Sequence, residues 1–275
     1  MFINTNVGAI NAHRNLSSNN SAMNKTMEKL SSGYRINRAA DDAAGLAISE
    51  KMRFQINGLN QAQRNAQDGI SLIQTAEGAL TEVHSMLQRL NTLATQASNG
   101  TYNDAEDRVA IQKEVDALLD EIDNIATNTN FNGISLLSAT AGGTTLNFQV
   151  GSTSTTQVSV DLADMSTAST GLDLAGLDLG SEAGALAAID TIKAAINTVS
   201  DQRAAFGAAQ NRLEHTINNL GVNAENLSAA QSRIRDADMA AEMTAFTKNQ
   251  ILVQAGTSML AQANSVPQNV LKLLG

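Results

Sequence analysis

From Ile192 to Ile234 an apolar residue returns at every seventh position, through Val199, Phe206, Leu213, Leu220 and Leu227, without a miss. Seven residues are close to two turns of α-helix, so these side chains share one seam and the segment reads as a long helix packed at a shallow angle in a coiled-coil-like bundle. The neighbouring seam position holds Ile196, Ile217 and Ala224 but is interrupted by Arg203, Gln210 and Gln231, which makes the stripe apolar on one side and mixed on the other. A second run pairs Leu59/Ala62, Ala66/Gly69, Ile73/Ala76, Leu80/Val83, Leu87/Leu90 and Ala94/Ala97 at heptad spacing. If 43–97 is one helix, it is roughly 80 Å long at ~1.5 Å per residue. Ile111, Val115, Leu118, Ile122 and Ile125 follow at 4-3-4-3 spacing, so three rod helices are available to pack together. No proline interrupts them, because the single one, Pro267, stands eight residues from the C-terminus.

Asn99-Gly100 is expected to end the first rod helix, and Asn103 with Glu106 three residues later reads as a capping pair that starts the next. Gly58, Gly69 and Gly78 inside the long helix each cost up to ~1 kcal/mol relative to Ala, for which close approach of a neighbouring helix is the expected reason. Between the rods the period changes to two. Leu146, Phe148 and Val150 alternate with polar residues, as do Val158, Val160 and Leu162, and Gly151-Ser152-Thr153-Ser154-Thr155 lies between, so a β-hairpin is predicted. Residues 166–184 are rich in Ser, Gly and Asp with little periodicity and read as surface loop.

Each end carries a stripe of its own, Leu16, Met23 and Leu30 at one, and Met239, Met243, Phe246, Val253 and Leu260 at the other. The first 24 residues hold seven asparagines, poor helix formers, so an isolated N-terminal helix is marginal. Ordering a residue costs ~1–2 kcal/mol of backbone entropy and burying a Leu returns only ~1.5–3 kcal/mol, so these ends need partners. The economical arrangement pairs them with each other and surrounds them with further copies. Their methionines read as adaptable packing.

Composition excludes several functions. A net charge of −9 without a basic stripe argues against nucleic acid, whose phosphates require clustered Lys and Arg. No stretch approaches the ~18 apolar residues of a membrane span, and the N-terminus lacks the cationic start and apolar run of a secretory signal, so the general secretory route is not expected. The chain has no cysteine, and His13, His84 and His215 each stand alone with no His-Glu-x-x-His motif, so neither a metal centre nor catalysis is expected and no cofactor is implied.

At the junction of residues 31–50, Ser31-Ser32-Gly33 forms a helix stop, and Asp41-Asp42 sits where a second helix begins, its carboxylates favoured by the positive end of the dipole. Arg35 and Arg38 lie between. One reading is a capped hinge with local ion pairs; the other adds contacts from these charges to neighbouring subunits, where partial burial strengthens them.

Residues 31–49, Ser-Ser-Gly-Tyr-Arg-Ile-Asn-Arg-Ala-Ala-Asp-Asp-Ala-Ala-Gly-Leu-Ala-Ile-Ser, resemble the N-terminal hallmark of bacterial flagellin. Ile3-Asn4-Thr5-Asn6 and Asn15-Leu16 resemble its opening, Asn130-Phe131-Asn132-Gly133 its loop after the second rod helix, and Ala261-Gln262-Ala263-Asn264, Pro267-Gln268 and Val270-Leu271 its close. The likeness covers roughly 1–138 and 185–275. It implies a mainly α fold, a helical rod bundle with a small β-hairpin region and paired terminal helices, in a short form without large outer domains. It also implies 1–40 and 236–275 as an inner, tube-lining terminal domain, 41–138 and 185–235 as the rod domain, and 139–184 as a hairpin and variable loop region.

The implied function is self-assembly into the flagellar filament for motility, with the related hook–filament junction protein as the alternative. Implied subunit-interface residues are Leu16, Met23, Leu30, Arg35, Arg38, Asp41, Asp42, Met239, Met243, Phe246, Val253 and Leu260. The implied partners are further copies of the chain, an export chaperone at the C-terminal segment, and the hook-associated and cap proteins, with secretion as unfolded chain through the flagellar type III apparatus. Gln88-Arg89-Leu90-Asn91-Thr92-Leu93-Ala94 and Ile111-Gln112-Lys113-Glu114 resemble the segments by which some flagellins are recognised by Toll-like receptor 5, which gives Arg89, Leu93 and Glu114 that candidate role.

Overall fold

A computed structural model describes residues 5–101, 103, 106–138 and 144–274. Ile3 and Asn4 of the opening motif and residues 139–143 of the expected variable region lie outside the described residues. Among the described residues, the chain order is α1 (Val7–Ser32), α2 (Ala43–Ala97), α3 (Asp107–Asn128), β1 (Asn130–Phe131), β2 (Ile134–Ser135), β3 (Thr144–Gln149), β4 (Gln157–Leu162), α4 (Glu182–Arg235) and α5 (Met239–Leu274). The fold is mainly α, with two small antiparallel two-stranded sheets, β1–β2 and β3–β4. Packing divides the chain into two compact units, 1–56 with 225–275, and 57–224, with α2 and α4 contributing to both.

In unit 57–224 the heptad stripes become the core. Ile73, Leu80, Val83, Leu87 and Leu90 of α2, Val115 and Ile122 of α3, and Ile192, Val199, Phe206 and Leu213 of α4 are buried in one apolar cluster. Each such side chain contributes roughly 1.5–3 kcal/mol, which is what a chain with so few aromatics has to build on. The hairpin forms as its alternation predicts, with Leu146 opposite Val160 and Phe148 opposite Val158. Val158, Val160 and Leu162 point into the same cluster as the helices.

The long-helix glycines answer to the hairpin rather than to another helix. A Cβ on Gly69 would stand 3.0 Å from the Phe148 ring, and one on Gly58 3.0 Å from Ser152 Cβ in the hairpin turn, whereas Gly78 has nothing within 4 Å.

Two further expectations are corrected. Helix α3 starts at Asp107, and Glu106 makes no side-chain cap hydrogen bond. The Asp107 carboxylate instead accepts the Asn103 N–H at 3.1 Å. The acid that reaches back is thus one residue further on, where it also meets the positive end of the helix dipole. The buried Arg108 beside it donates to Ala97 O at 2.8 Å and to Asn99 O at 3.1 Å, covering carbonyls that α2 leaves open at its end.

The segment 166–184 is not a surface loop throughout, because Thr167, Leu172, Leu174 and Leu179 are buried. Side chains of α3 hold it. Asp123 accepts the Thr167 N–H and hydroxyl, both at 2.7 Å, and the Gln112 amide accepts the Leu179 N–H at 2.7 Å while donating to Leu177 O at 3.1 Å. A carboxylate and an amide here replace the ladder a neighbouring strand would supply.

Candidate functional site

The two terminal helices pack against each other within unit 1–56/225–275. Asn6 begins the pair, its Oδ1 accepting the Ala9 N–H at 3.1 Å as N-cap and its Nδ2 donating to Ala263 O at 2.8 Å. Further along, a Cβ on Gly256 would lie 3.2 Å from Leu16 Cδ1, so glycine permits close approach there. At the other end Lys29 Nζ meets Glu242 Oε1 at 2.7 Å. These three contacts make the pair antiparallel.

The pair is half finished. Leu16, Met23 and Leu30 of α1 and Phe246, Val253 and Leu260 of α5 are each only half-buried, and no residue of α1 is fully buried. Met239 and Met243 are exposed, so the predicted stripe is a contact between helices at its centre and open surface at that end. Val7, Ile10, Met27, Ile251, Leu252 and Met259 are exposed as well. Three of these sit outside any single stripe on α5. Ile251-Leu252-Val253 is an apolar run that cannot face one way on a helix, and this was the sequence signal for a second apolar face. That face carries a groove lined by Thr244, Thr247, Lys248, Ile251 and Leu252.

The junction is where this unit is firmly closed. Among its described residues only Ile36, Gly45 and Ser49 are buried. Gly33, at φ 74°, ends α1 with its N–H bonded to Lys29 O at 2.8 Å. The chain then runs antiparallel to the α4–α5 link: Arg35 N–H donates to Arg235 O at 2.7 Å and Ala237 N–H to Gly33 O at 2.9 Å, around a bridge between Tyr34 and Asp236. Arg35 Nη2 adds a bond to Ile234 O at 2.6 Å. Arg235 lies 4.8 Å over the Tyr34 ring and pairs with Glu50 at 2.5 Å.

The two neighbouring aspartates have separate tasks. Asp42 Oδ1 accepts the Gly45 N–H at 2.9 Å and caps α2. Asp41 pairs with Lys25 at 2.9 Å and accepts the N–H groups of Arg38 and Asn37, at 3.1 and 3.3 Å. The Lys25 hydrogen bond, followed by these backbone donors, brings the Asp41 carboxyl from the usual range down to about 2. The Arg38 guanidinium pairs with Glu28 at 2.7 Å. Arg35 and Arg38 have exposed side chains. Glu28 and Lys25, the partners of Arg38 and Asp41, stand one and two turns back from the end of α1 and were not singled out by sequence reasoning, nor were Glu50 and Arg235, far apart in the chain.

On the other unit, Arg89 and Glu114 are exposed and paired, with Arg89 Nη2 and Nε at 2.7 and 2.8 Å from the same carboxylate oxygen. Leu93 is not on their surface. At 2% exposure it belongs to the apolar core beneath, so of the three candidate recognition residues only the charged two are presented to solvent.

Residues 3–141 match the bacterial flagellin N-terminal helical region, and residues 189–274 the bacterial flagellin C-terminal helical region. The chain is 54% identical to the flagellin of Bacillus subtilis (strain 168), with all of both chains covered. It is 49% identical to the flagellar filament 33 kDa core protein of Treponema phagedenis, again over the whole of both. The crystal structure of Bacillus cereus flagellin matches 61% of this chain and 94% of its own at 40% identity, with a TM-score of 0.52.

Proposed function

The chain belongs to the bacterial flagellin family and is a structural subunit of the flagellar filament, and we propose that its terminal helix pair is the element through which copies of it join. The observation that carries this is the pair's incompleteness: two long helices with half-buried stripes and a second apolar face on α5 expose surface that water does not favour and that another copy would cover.

In this reading residues 1–40 and 236–275 line the filament's inner tube, with 41–138 and 185–235 as the next layer and 139–184 as its outer edge. Leu16, Met23, Leu30, Phe246, Val253 and Leu260 then serve both the α1–α5 contact and contacts between copies, and the exposed Met239 and Met243 serve contacts between copies. Arg35, Arg38, Asp41 and Asp42 primarily hold the junction, and the two guanidinium groups, although each already has a partner within the chain, are exposed enough to meet a neighbouring copy as well.

The protein acts as a building block and catalyses nothing. It leaves the cell as unfolded chain through the flagellar type III apparatus, with an export chaperone holding the C-terminal segment, and meets the hook-associated and cap proteins at the growing tip. Helices that need partners to fold suit such a route. The Arg89–Glu114 pair is the surface offered to Toll-like receptor 5, with Leu93 supporting it from below; undiminished signalling by an Arg89→Ala monomer would remove that role.

Seeded growth observed by electron microscopy tests the central reading. The full chain extends seeds, and chains lacking 1–40 or 236–275 do not. Filaments from either truncated form would sink the assigned role of the ends.

A further inference from the structure

The methionines are unevenly placed. Met27 on α1 and Met239, Met243 and Met259 on α5 are 48%, 46%, 51% and 64% exposed, whereas Met165 in the other unit is fully buried. The Lys29–Glu242 ion pair sets Met27 and Met243 at one level of the helix pair, with Met239 one turn away on α5, so these three lie toward the end nearest the junction. Met259 lies on the second apolar face, in line with Leu252 two turns before it. All four therefore stand on the surface proposed above to be covered when copies join.

We infer that Met27, Met239, Met243 and Met259 are a set of oxidant-reactive sites that governs whether a free subunit can enter the polymer. This rests on the assembly role of the terminal pair. A thioether sulfur attacks the terminal oxygen of a hydroperoxide; the O–O bond breaks, an S–O bond forms, the sulfur is oxidised to sulfoxide and the peroxide leaves as water or alcohol. The side chain changes from a flexible apolar filler to a rigid dipole with a strong acceptor, which costs free energy wherever burial leaves that acceptor without a donor, as it would beside Ile251 and Leu252 on the second apolar face. Oxidation before assembly thus blocks joining. Once a copy is in place the same sulfurs are shielded, so a finished polymer resists an oxidant that inactivates its precursor. Two thiols reverse the step, returning the thioether with a disulfide and water, through a thiol-dependent sulfoxide reductase.

The test treats free full-length chain and seeded filaments with hydrogen peroxide, maps oxygen addition by peptide mass spectrometry and follows elongation of fresh seeds. The four methionines gain oxygen in the free chain and are protected in filaments, and Met165 is spared in both. Oxidised chain elongates about tenfold or more slowly, and sulfoxide reductase restores the rate. The Met27→Leu/Met239→Leu/Met243→Leu/Met259→Leu chain keeps elongating after peroxide; should that variant assemble poorly untreated, the reductase rescue of the wild-type chain decides alone. Oxidised wild-type chain that elongates at the untreated rate overturns the inference, as does slowing that the reductase does not reverse. Failure of untreated wild-type chain to elongate seeds would instead overturn the assembly reading beneath it.

Discussion

Single residues set how sharply this fold responds to change. Phe206 is the largest fully buried side chain of the core and sits mid-seam on α4. Phe206→Ala should cost about 3–5 kcal/mol and lower the thermal midpoint of unit 57–224, read by calorimetry. Glycines of one helix, α2, divide by what faces them. Gly78→Ala meets nothing within 4 Å and should gain up to ~1 kcal/mol of helix propensity, while at Gly69 a Cβ 3.0 Å from Phe148 forfeits that gain by displacing the ring. Parallel urea titrations should therefore separate the two variants in stability, with Gly78→Ala the more stable. Asp41 adds a pH signature. Its folded pKa of about 2 lies below the ordinary value of 3.8, so the carboxylate stabilises the junction fully above about pH 4 and loses that contribution as pH falls through about 2. Acid titration followed by NMR of the Asp41 carboxyl should place its midpoint well below 3.8, and Lys25→Met should move it back up.

At the scale of elements, the strap of residues 163–181 shows how side chains substitute for a strand. Asp123→Ala would leave the Thr167 N–H and hydroxyl without their acceptor in a nearly buried place, at about 1–3 kcal/mol. Hydrogen exchange should then show 165–180 opening ahead of the helices, and equal protection in variant and wild type would count against the clamp. This strap is also where reading the sequence stopped short. Heptads in α2, α3 and α4 and the alternation in β3 and β4 are periodic, and periodicity is written in residue type, so those elements and most of their buried faces were legible. In the strap only Leu172, Leu174, Leu177 and Leu179 hint at a buried face, and its backbone is satisfied by Gln112 and Asp123 on another element, which no local pattern announces. Leu93 entered through the resemblance, and the heptad reading did not correct it. A seam of two positions per heptad, such as Leu87 with Leu90, describes a helix with one partner, but Leu72 beside Ile73 and Leu93 beside Ala94 are buried too, the wider stripe of a helix enclosed on more than one side. The half-buried terminal stripes were legible, whereas the junction's ties between Tyr34, Arg35, Glu50 and Arg235 join positions about 185 to 200 apart, for which one sequence offers no pattern.

For the whole molecule, the distribution of burial between the two units predicts a difference in order before and after assembly. Unit 57–224 closes a continuous core, while the described part of unit 1–56/225–275 fully buries only three residues, all at the junction. A helix residue costs ~1–2 kcal/mol of backbone entropy, and a half-exposed Leu or Met recovers only part of the ~1.5–3 kcal/mol that full burial yields. Among the described residues the α1–α5 pair adds one ion pair, Lys29–Glu242, and one side-chain hydrogen bond, from Asn6 to Ala263 O, each modest in water. The pair is therefore expected to be the least stable part of a free chain, and on the assembly role proposed for it a second copy laid on the apolar face of α5 would supply the missing burial. Limited proteolysis of free chain should trim α1 and α5 and leave a resistant fragment containing 57–224, and far-ultraviolet circular dichroism should show helix gained when seeds are added. Ends as resistant in the free chain as in filaments, with no gain of helix on assembly, would mean that the pair is complete by itself and that its exposed stripes answer to something other than another copy.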